Sequence, residues 1–163
     1  MRKLAITGAV LPFVLGVITV GGVGWATDAA PTPGRSFFLY EHDTAQANID
    51  LGAKGDSPGD RFIWSGNLFD KKGGKQLGRV GGNCETMSVK PDETVCTGNF
   101  VFPGGELIAQ GMADTSDLFG GKRVQWAVIG GTGAYRNARG WGSIVVPPKV
   151  PNETDALFTF HVM

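Results

Sequence analysis

From residue 36 onward, apolar and polar positions alternate over short stretches, and each stretch stops at a turn signal. Runs rich in Val, Ile, Phe, Thr and Trp occupy residues 36–42, 61–69, 76–81, 84–89, 95–102, 106–112, 124–129, 140–146 and 156–162. Between them stand "GDSPGD", "DKKGGK", "PDET", "PGGE", "FGGK", "GGTG" and "PPKVPN", all built from residues that favour turns. No window outside the N-terminal segment carries a long apolar period of 3.6. Short strands at regular spacing predict an all-β sandwich or barrel. The alternation is imperfect. Over residues 36–43 one face carries Phe37, Leu39, Glu41 and Asp43, and the other carries Phe38, Tyr40 and His42. Apolar members on both faces predict that both are covered, as in a barrel whose outer wall packs on another subunit or a sandwich with decorated faces.

The N-terminal segment has a different character. Arg2 and Lys3 precede an apolar or small run from Leu4 to Val23, and Gly24-Trp25-Ala26 places small residues where a signal peptidase needs them. Residues 1–26 read as a secretory signal peptide; the alternative is a retained membrane anchor, because the run approaches bilayer-spanning length. Residues 27–35, containing "AAPTPG", read as an extended linker. Residues 36–163 then form one domain, secreted or extracytoplasmic. Loss of Arg2 and Lys3 takes the formal charge from zero to minus two. Neither a nucleic-acid partner nor a membrane-surface partner after cleavage is expected.

Cys84 and Cys96 are the two cysteines. In an exported chain a disulfide is the leading reading, two buried thiols the alternative. His42 and His161 are far apart, and no Cys/His cluster has zinc spacing, so no metal is expected. Asn152-Glu153-Thr154 forms a glycosylation sequon, relevant to an exported eukaryotic protein.

The stretch "VIGGTGAYRNARGWG", residues 128–142, looks at first like a nucleotide loop. Ala134, Tyr135 and Arg136 follow Gly133, so the third glycine of a dinucleotide fingerprint is missing, and no βαβ unit fits the strands that remain. No Gly-Lys pair is followed by Ser or Thr, which excludes a P-loop. The plain expectation is a tight connection, with glycines at positive φ and Tyr135 folded over a barrel end. No G-x-S-x-G elbow exists, so triad hydrolysis is not expected.

With its surroundings, that stretch resembles the glycine signature of dirigent proteins and the matching segment of allene oxide cyclases. "FFLYEHD", "GDRFIWSGNLFD", "LGRVGGNC", "GGELIAQG" and "LFTFHV" resemble further segments of those families, in the same order along nearly the whole mature chain. The resemblance implies an eight-stranded antiparallel β-barrel of allene oxide cyclase/dirigent type, often trimeric, with a hydrophobic lumen. Related bacterial barrels include cofactor-free cyclases that work by cycloaddition. Residue by residue, the cyclase pocket glutamate falls on Glu41, and its neighbouring asparagine falls on Asp43, where dirigent proteins also have aspartate. The second-strand asparagine falls on Gly66, a departure that removes a ligand-positioning side chain. The pocket cysteine falls on Cys84. Phe37, Leu39, Phe62 and Trp64 are expected to line the pocket with it. Tyr135, Arg136 and Arg139 are expected at a barrel mouth.

If the Glu41 face is the lumen, two carboxylates share an apolar setting, and burial with a like charge raises at least one pKa. Such a pair can act as general acid or base on a polyene, enone or quinone methide; the alternative is a structural ion pair with Arg61, Arg136 or Arg139. The resulting expectation is an exported, cofactor-free barrel that binds a hydrophobic small molecule and steers its cyclisation or coupling, as a homo-oligomer of two or three chains. The alternatives are a non-catalytic carrier and a structural envelope protein. An acid pair in an open lumen favours the first, and a lumen filled by Trp64, Trp126 or Phe102 favours the last.

Overall fold

A computed structural model describes residues 34–148 and 155–163. Residues 1–26, expected to be a signal peptide, most of residues 27–35, expected to be a linker, and the sequon at Asn152 lie outside the described residues. Eight antiparallel strands run β1 (Arg35–Ile49), β2 (Arg61–Phe69), β3 (Gln76–Val89), β4 (Asp92–Phe102), β5 (Gly105–Asp114), β6 (Val124–Gly131), β7 (Gly140–Val145) and β8 (Asp155–Val162). Each pairs with its sequence neighbour, and β8 pairs with β1, so the sheet closes. Closure leaves no strand edge unpaired and gives every strand one inward and one outward row of side chains.

Two features depart from the sequence reading. The runs 76–81 and 84–89 are one strand, β3, because Gly81-Gly82 does not break it. A Cβ on Gly82 would stand 2.5 Å from the Trp64 ring, so this glycine clears space for an indole rather than making a turn. The first strand also continues to Ile49 through the polar stretch "TAQAN". Its register against β2 jumps from Asp43↔Gly66 to Ala45↔Ser65, with Thr44 as the extra residue. The bulge resets the alternation, so Asp43 and Gln46 both face inward.

The lumen has two halves. Toward the end made by the β2–β3, β4–β5 and β6–β7 connections, inward side chains fill it. Leu39, Leu68, Phe100, Leu107, Phe158 and Phe160 are almost wholly buried there. Phe100 meets Phe158 and Phe160 edge-on, both with ring centroids 4.8 Å apart. Toward the other end the inward row changes to Glu41, Asp43, Cys84, Thr94 and Trp126, and the lumen opens. A short helix, α1 (Thr115–Phe119), stands beside that opening, its N-terminus capped by the Asp114 carboxylate accepting from the Ser116 and Asp117 N–H groups. Five residues cannot display a helical period, which is why the sequence pattern did not reveal it. Among the described residues no helix is long and apolar enough to cross a membrane.

Candidate functional site

The open half holds a cavity of about 610 Å³, within the size range of small-molecule sites. Glu41 lies at its floor. Strand alternation puts it on the inward row, between Leu68 of β2 and Ala156 of β8. Gly66 makes room for it: a Cβ there would stand 2.7 Å from Glu41 Oε1. The departure at Gly66 therefore has a physical counterpart, since the glutamate occupies the space a larger side chain would take.

Glu41 is only 2% exposed, and its Oε1 has no hydrogen-bond partner. Burial holds its carboxyl well above the usual range; the neighbouring Asp43 charge and hydrogen bond push the same way, while the Trp64 indole N–H, donating to Glu41, opposes them. The Asp43 carboxylate accepts from the Gln46 side-chain amide. The direction of that shift favours the protonated form, and a protonated carboxyl in an apolar cavity can donate a proton or a hydrogen bond.

Aromatic rings and a disulfide make the nearby wall. Phe62 stacks on Trp64, centroids 6.0 Å apart, and meets Phe119 of α1 edge-on at 5.6 Å. Cys84 and Cys96, directly opposed on β3 and β4, are joined by a disulfide, and Cys84 lines the cavity. Thr115 places a second buried oxygen, Oγ1, on the wall without a hydrogen-bond partner. The rim over β1 and β2 is the loop 50–60. Asp60 organises it, accepting from the N–H groups of Leu51 and Ser57, each at 2.7 Å. Those donors, Leu51 first, hold its carboxyl below the usual range.

Glu41, Asp43, Phe62, Trp64 and Cys84 thus meet at one cavity. Phe37 and Leu39 do not. They share the Glu41 row but lie in the packed half, where Phe37 contacts Phe160 and Phe102 at 5.5 and 6.2 Å. The expectation that they line the pocket is corrected, because the aromatic cluster closes the lumen above them. Tyr135, Arg136 and Arg139 belong to the packed end, opposite the cavity. Tyr135 packs on Phe102 at 5.4 Å, and Arg139 donates to the Ala138 carbonyl. None of them lines the cavity, so Arg136 and Arg139 are not counter-ions for Glu41 or Asp43. Arg61 pairs instead with Glu85 at 3.1 Å. The glycine stretch is a corner: Gly133, at φ 55°, starts a 3-10 turn to Tyr135 pressed against the Gly104-Gly105 backbone.

Sequence reasoning missed the α1 wall of Thr115, Leu118 and Phe119, the Pro147-Pro148 lip and the acidic rim. Each sits in a connection whose path the strand pattern does not give. "GDSPGD" carries the rim's acidic character as well as its turn residues. At the β1–β8 seam, beside the cavity edge, Tyr40 donates to Asp155, which also contacts His42 at 3.0 Å and Lys72 at 3.6 Å. Burial, then the Asp155 contact, pushes the Tyr40 hydroxyl up to about 12, so this cluster acts as a tie between β1 and β8. Among the described residues no group of His, Cys, Asp or Glu is arranged to hold a metal ion.

Residues 40–155 match the model of the allene oxide cyclase barrel-like domain. Three solved structures share the architecture. A pyocyanin demethylase is 25% identical with a TM-score of 0.64, over 79% of this chain and 100% of that one. An exo-specific intermolecular Diels-Alderase is 19% identical with a TM-score of 0.61, over 78% and 98%. A pterocarpan synthase dirigent protein is 17% identical with a TM-score of 0.62, over 85% and 97%. Curated protein sequences give no match.

Proposed function

Because the chain belongs to the allene oxide cyclase barrel-like domain family, we propose that its open half-lumen binds a flat, largely apolar small molecule and steers its cyclisation or coupling. One observation carries this: Glu41, buried and with Oε1 unpaired, faces an aromatic-walled cavity. A buried carboxyl oxygen left without a partner is costly unless it serves something that enters. The demethylase, Diels-Alderase and dirigent protein of the same fold are named for small-molecule chemistry, which supports the class and not a particular substrate.

Shape does most of the work. The cavity holds the reacting atoms in one relative orientation, and a neutral Glu41 donates a hydrogen bond to an acceptor such as an enone oxygen as charge develops there. In a cycloaddition no proton is transferred, so the Glu41–Asp43 pair ends as it began. These steps call on no cofactor. Export belongs to the same proposal, supported by the N-terminal segment and the Cys84–Cys96 disulfide. So does assembly into a homo-oligomer, supported by exposed apolar side chains on the outer wall such as Phe38, Ile63 and Trp141.

The test begins with native mass spectrometry of the protein from its producing cells, which identifies bound small molecule and subunit count together. Turnover of that molecule or its precursor is then followed with Glu41→Gln. We expect kcat to fall about 100-fold or more with affinity nearly unchanged, because the carboxyl acts on the transition state. A change in affinity and its pH dependence, with no reaction to lose, would make the protein a carrier.

A further inference from the structure

Eight strands paired in sequence order put β5 diametrically across the barrel from β1, with three strands between them on either side. Glu41 lies on β1, and Thr115 is the residue directly after β5. Both line the cavity. Each carries a buried oxygen without a hydrogen-bond partner, Oε1 of Glu41 and Oγ1 of Thr115. Other polar side chains around them are engaged within the fold. Thr94 donates to the Glu85 carbonyl at 3.1 Å, Gln46 donates to Asp43, and Asp60 accepts from the Leu51 and Ser57 N–H groups. The strands between the two residues contribute the apolar side chains of Trp64, Trp126 and Ile144.

The fold gives the Thr115 hydroxyl no task. Asp114 already caps α1, accepting from the Ser116 and Asp117 N–H groups. A valine at 115 would fill nearly the same space with no buried oxygen left unpaired, and that is the cheaper solution unless the oxygen serves something that enters.

We propose that the cavity reads its ligand at two opposite points: it takes an uncharged, flat conjugated molecule with oxygen at both ends, a carbonyl held by Glu41 and a hydroxyl or second carbonyl held by Thr115. The proposal rests on the small-molecule reading of the same cavity and adds the substrate class and a specificity-determining residue. The protonated Glu41 donates to the carbonyl, in the role already given to it. The Thr115 hydroxyl can donate or accept, so either kind of oxygen satisfies it. Two anchors on opposite walls hold the molecule in one orientation across the barrel, which one anchor among apolar side chains does not do. A ligand that lacks the second oxygen leaves Oγ1 unpaired and is rejected on that account.

Three probes on one ring system test this: 6-acetyl-2-naphthol, 2-acetylnaphthalene and 2-ethylnaphthalene, with two, one and no oxygens. They are titrated into the full barrel at about pH 6, below the range in which phenols ionise, and followed by quenching of tryptophan fluorescence. 6-Acetyl-2-naphthol should bind about tenfold more tightly than 2-acetylnaphthalene, and 2-ethylnaphthalene should bind most weakly. Thr115→Val should weaken 6-acetyl-2-naphthol about tenfold and leave 2-acetylnaphthalene unchanged, while Thr115→Ser should keep the affinity for both. Without ligand, Thr115→Val should melt no lower than the natural chain, because the oxygen it removes has no partner in the fold. If Thr115→Val weakens the two acetyl probes equally, weakens neither, or lowers the melting temperature of the empty barrel, the second anchor is overturned while a small-molecule cavity stands. If 2-ethylnaphthalene binds as tightly as 2-acetylnaphthalene, the Glu41 anchor is overturned. If none of the three binds up to its solubility limit, the small-molecule reading falls as well.

Discussion

The two halves of the lumen are built by the same eight strands with the same inward alternation, yet one half is core and the other is cavity. In the packed half the inward positions are Leu39, Leu68, Phe100, Leu107, Phe158 and Phe160. In the open half the same strands offer Glu41, Gly66, Cys84, Thr94 and Trp126. The backbone does not decide which half is filled. Side-chain volume and polarity do, and they change over two or three residues of each strand. The packed half can therefore supply stability while the open half tolerates a buried carboxyl that works against it.

Substitutions should separate the halves. Phe158→Ala removes a ring that meets Phe100 and Trp126 and should cost about 3–5 kcal/mol in denaturant unfolding, since the site cannot collapse around the loss. Replacing Cys84 and Cys96 together with Ser should cost about 2–4 kcal/mol, read the same way under non-reducing conditions; titration of two reactive thiols in the native oxidised protein would contradict the bridge. Gly82→Ala pushes on the Trp64 ring and on Thr97 and should cost about 1–3 kcal/mol by overpacking. Phe119→Ala, at the rim and 36% exposed, should change stability by no more than about 1 kcal/mol while weakening binding. Equal losses from Phe158→Ala and Phe119→Ala would erase the distinction between the halves.

Glu41 gives the comparison a pH signature. Its folded pKa is raised, so below the ordinary glutamate range both folded and unfolded chains hold the proton and nothing is lost. As pH rises from that range toward the folded value, the unfolded chain ionises first and stability falls. Glu41→Gln removes that fall. Its stability relative to the natural chain should therefore be more favourable at neutral pH than at pH 4, as measured by parallel urea titrations. A difference that does not vary with pH would place the Glu41 carboxyl in water.

The strands were legible in the sequence because turn signals separate them and because alternation marks an inward face on "FFLYEHD". The closed barrel came with the resemblance; periodicity alone left a sandwich open. Gly81-Gly82 misled, since one dipeptide serves both as turn signal and as clearance under a tryptophan, and only the tertiary neighbour tells them apart. The Thr44 bulge was invisible for a related reason: an extra residue shows only against its partner strand. Glu41 and Asp43 could be placed on one face, but Phe37 and Leu39 on that same face could not be assigned to core or cavity. That division depends on how Phe100, Phe158 and Phe160 meet across the lumen, and the pattern along any one strand does not contain it.

The most direct test of the account is the ionisation of Glu41 itself. Infrared difference spectra or carboxyl carbon NMR, recorded on the empty barrel at neutral pH with Glu41→Gln as reference, report one side chain's protonation. The account predicts one protonated carboxyl in the natural chain that vanishes in the variant. A Glu41 carboxylate fully ionised at neutral pH in the empty protein would contradict it.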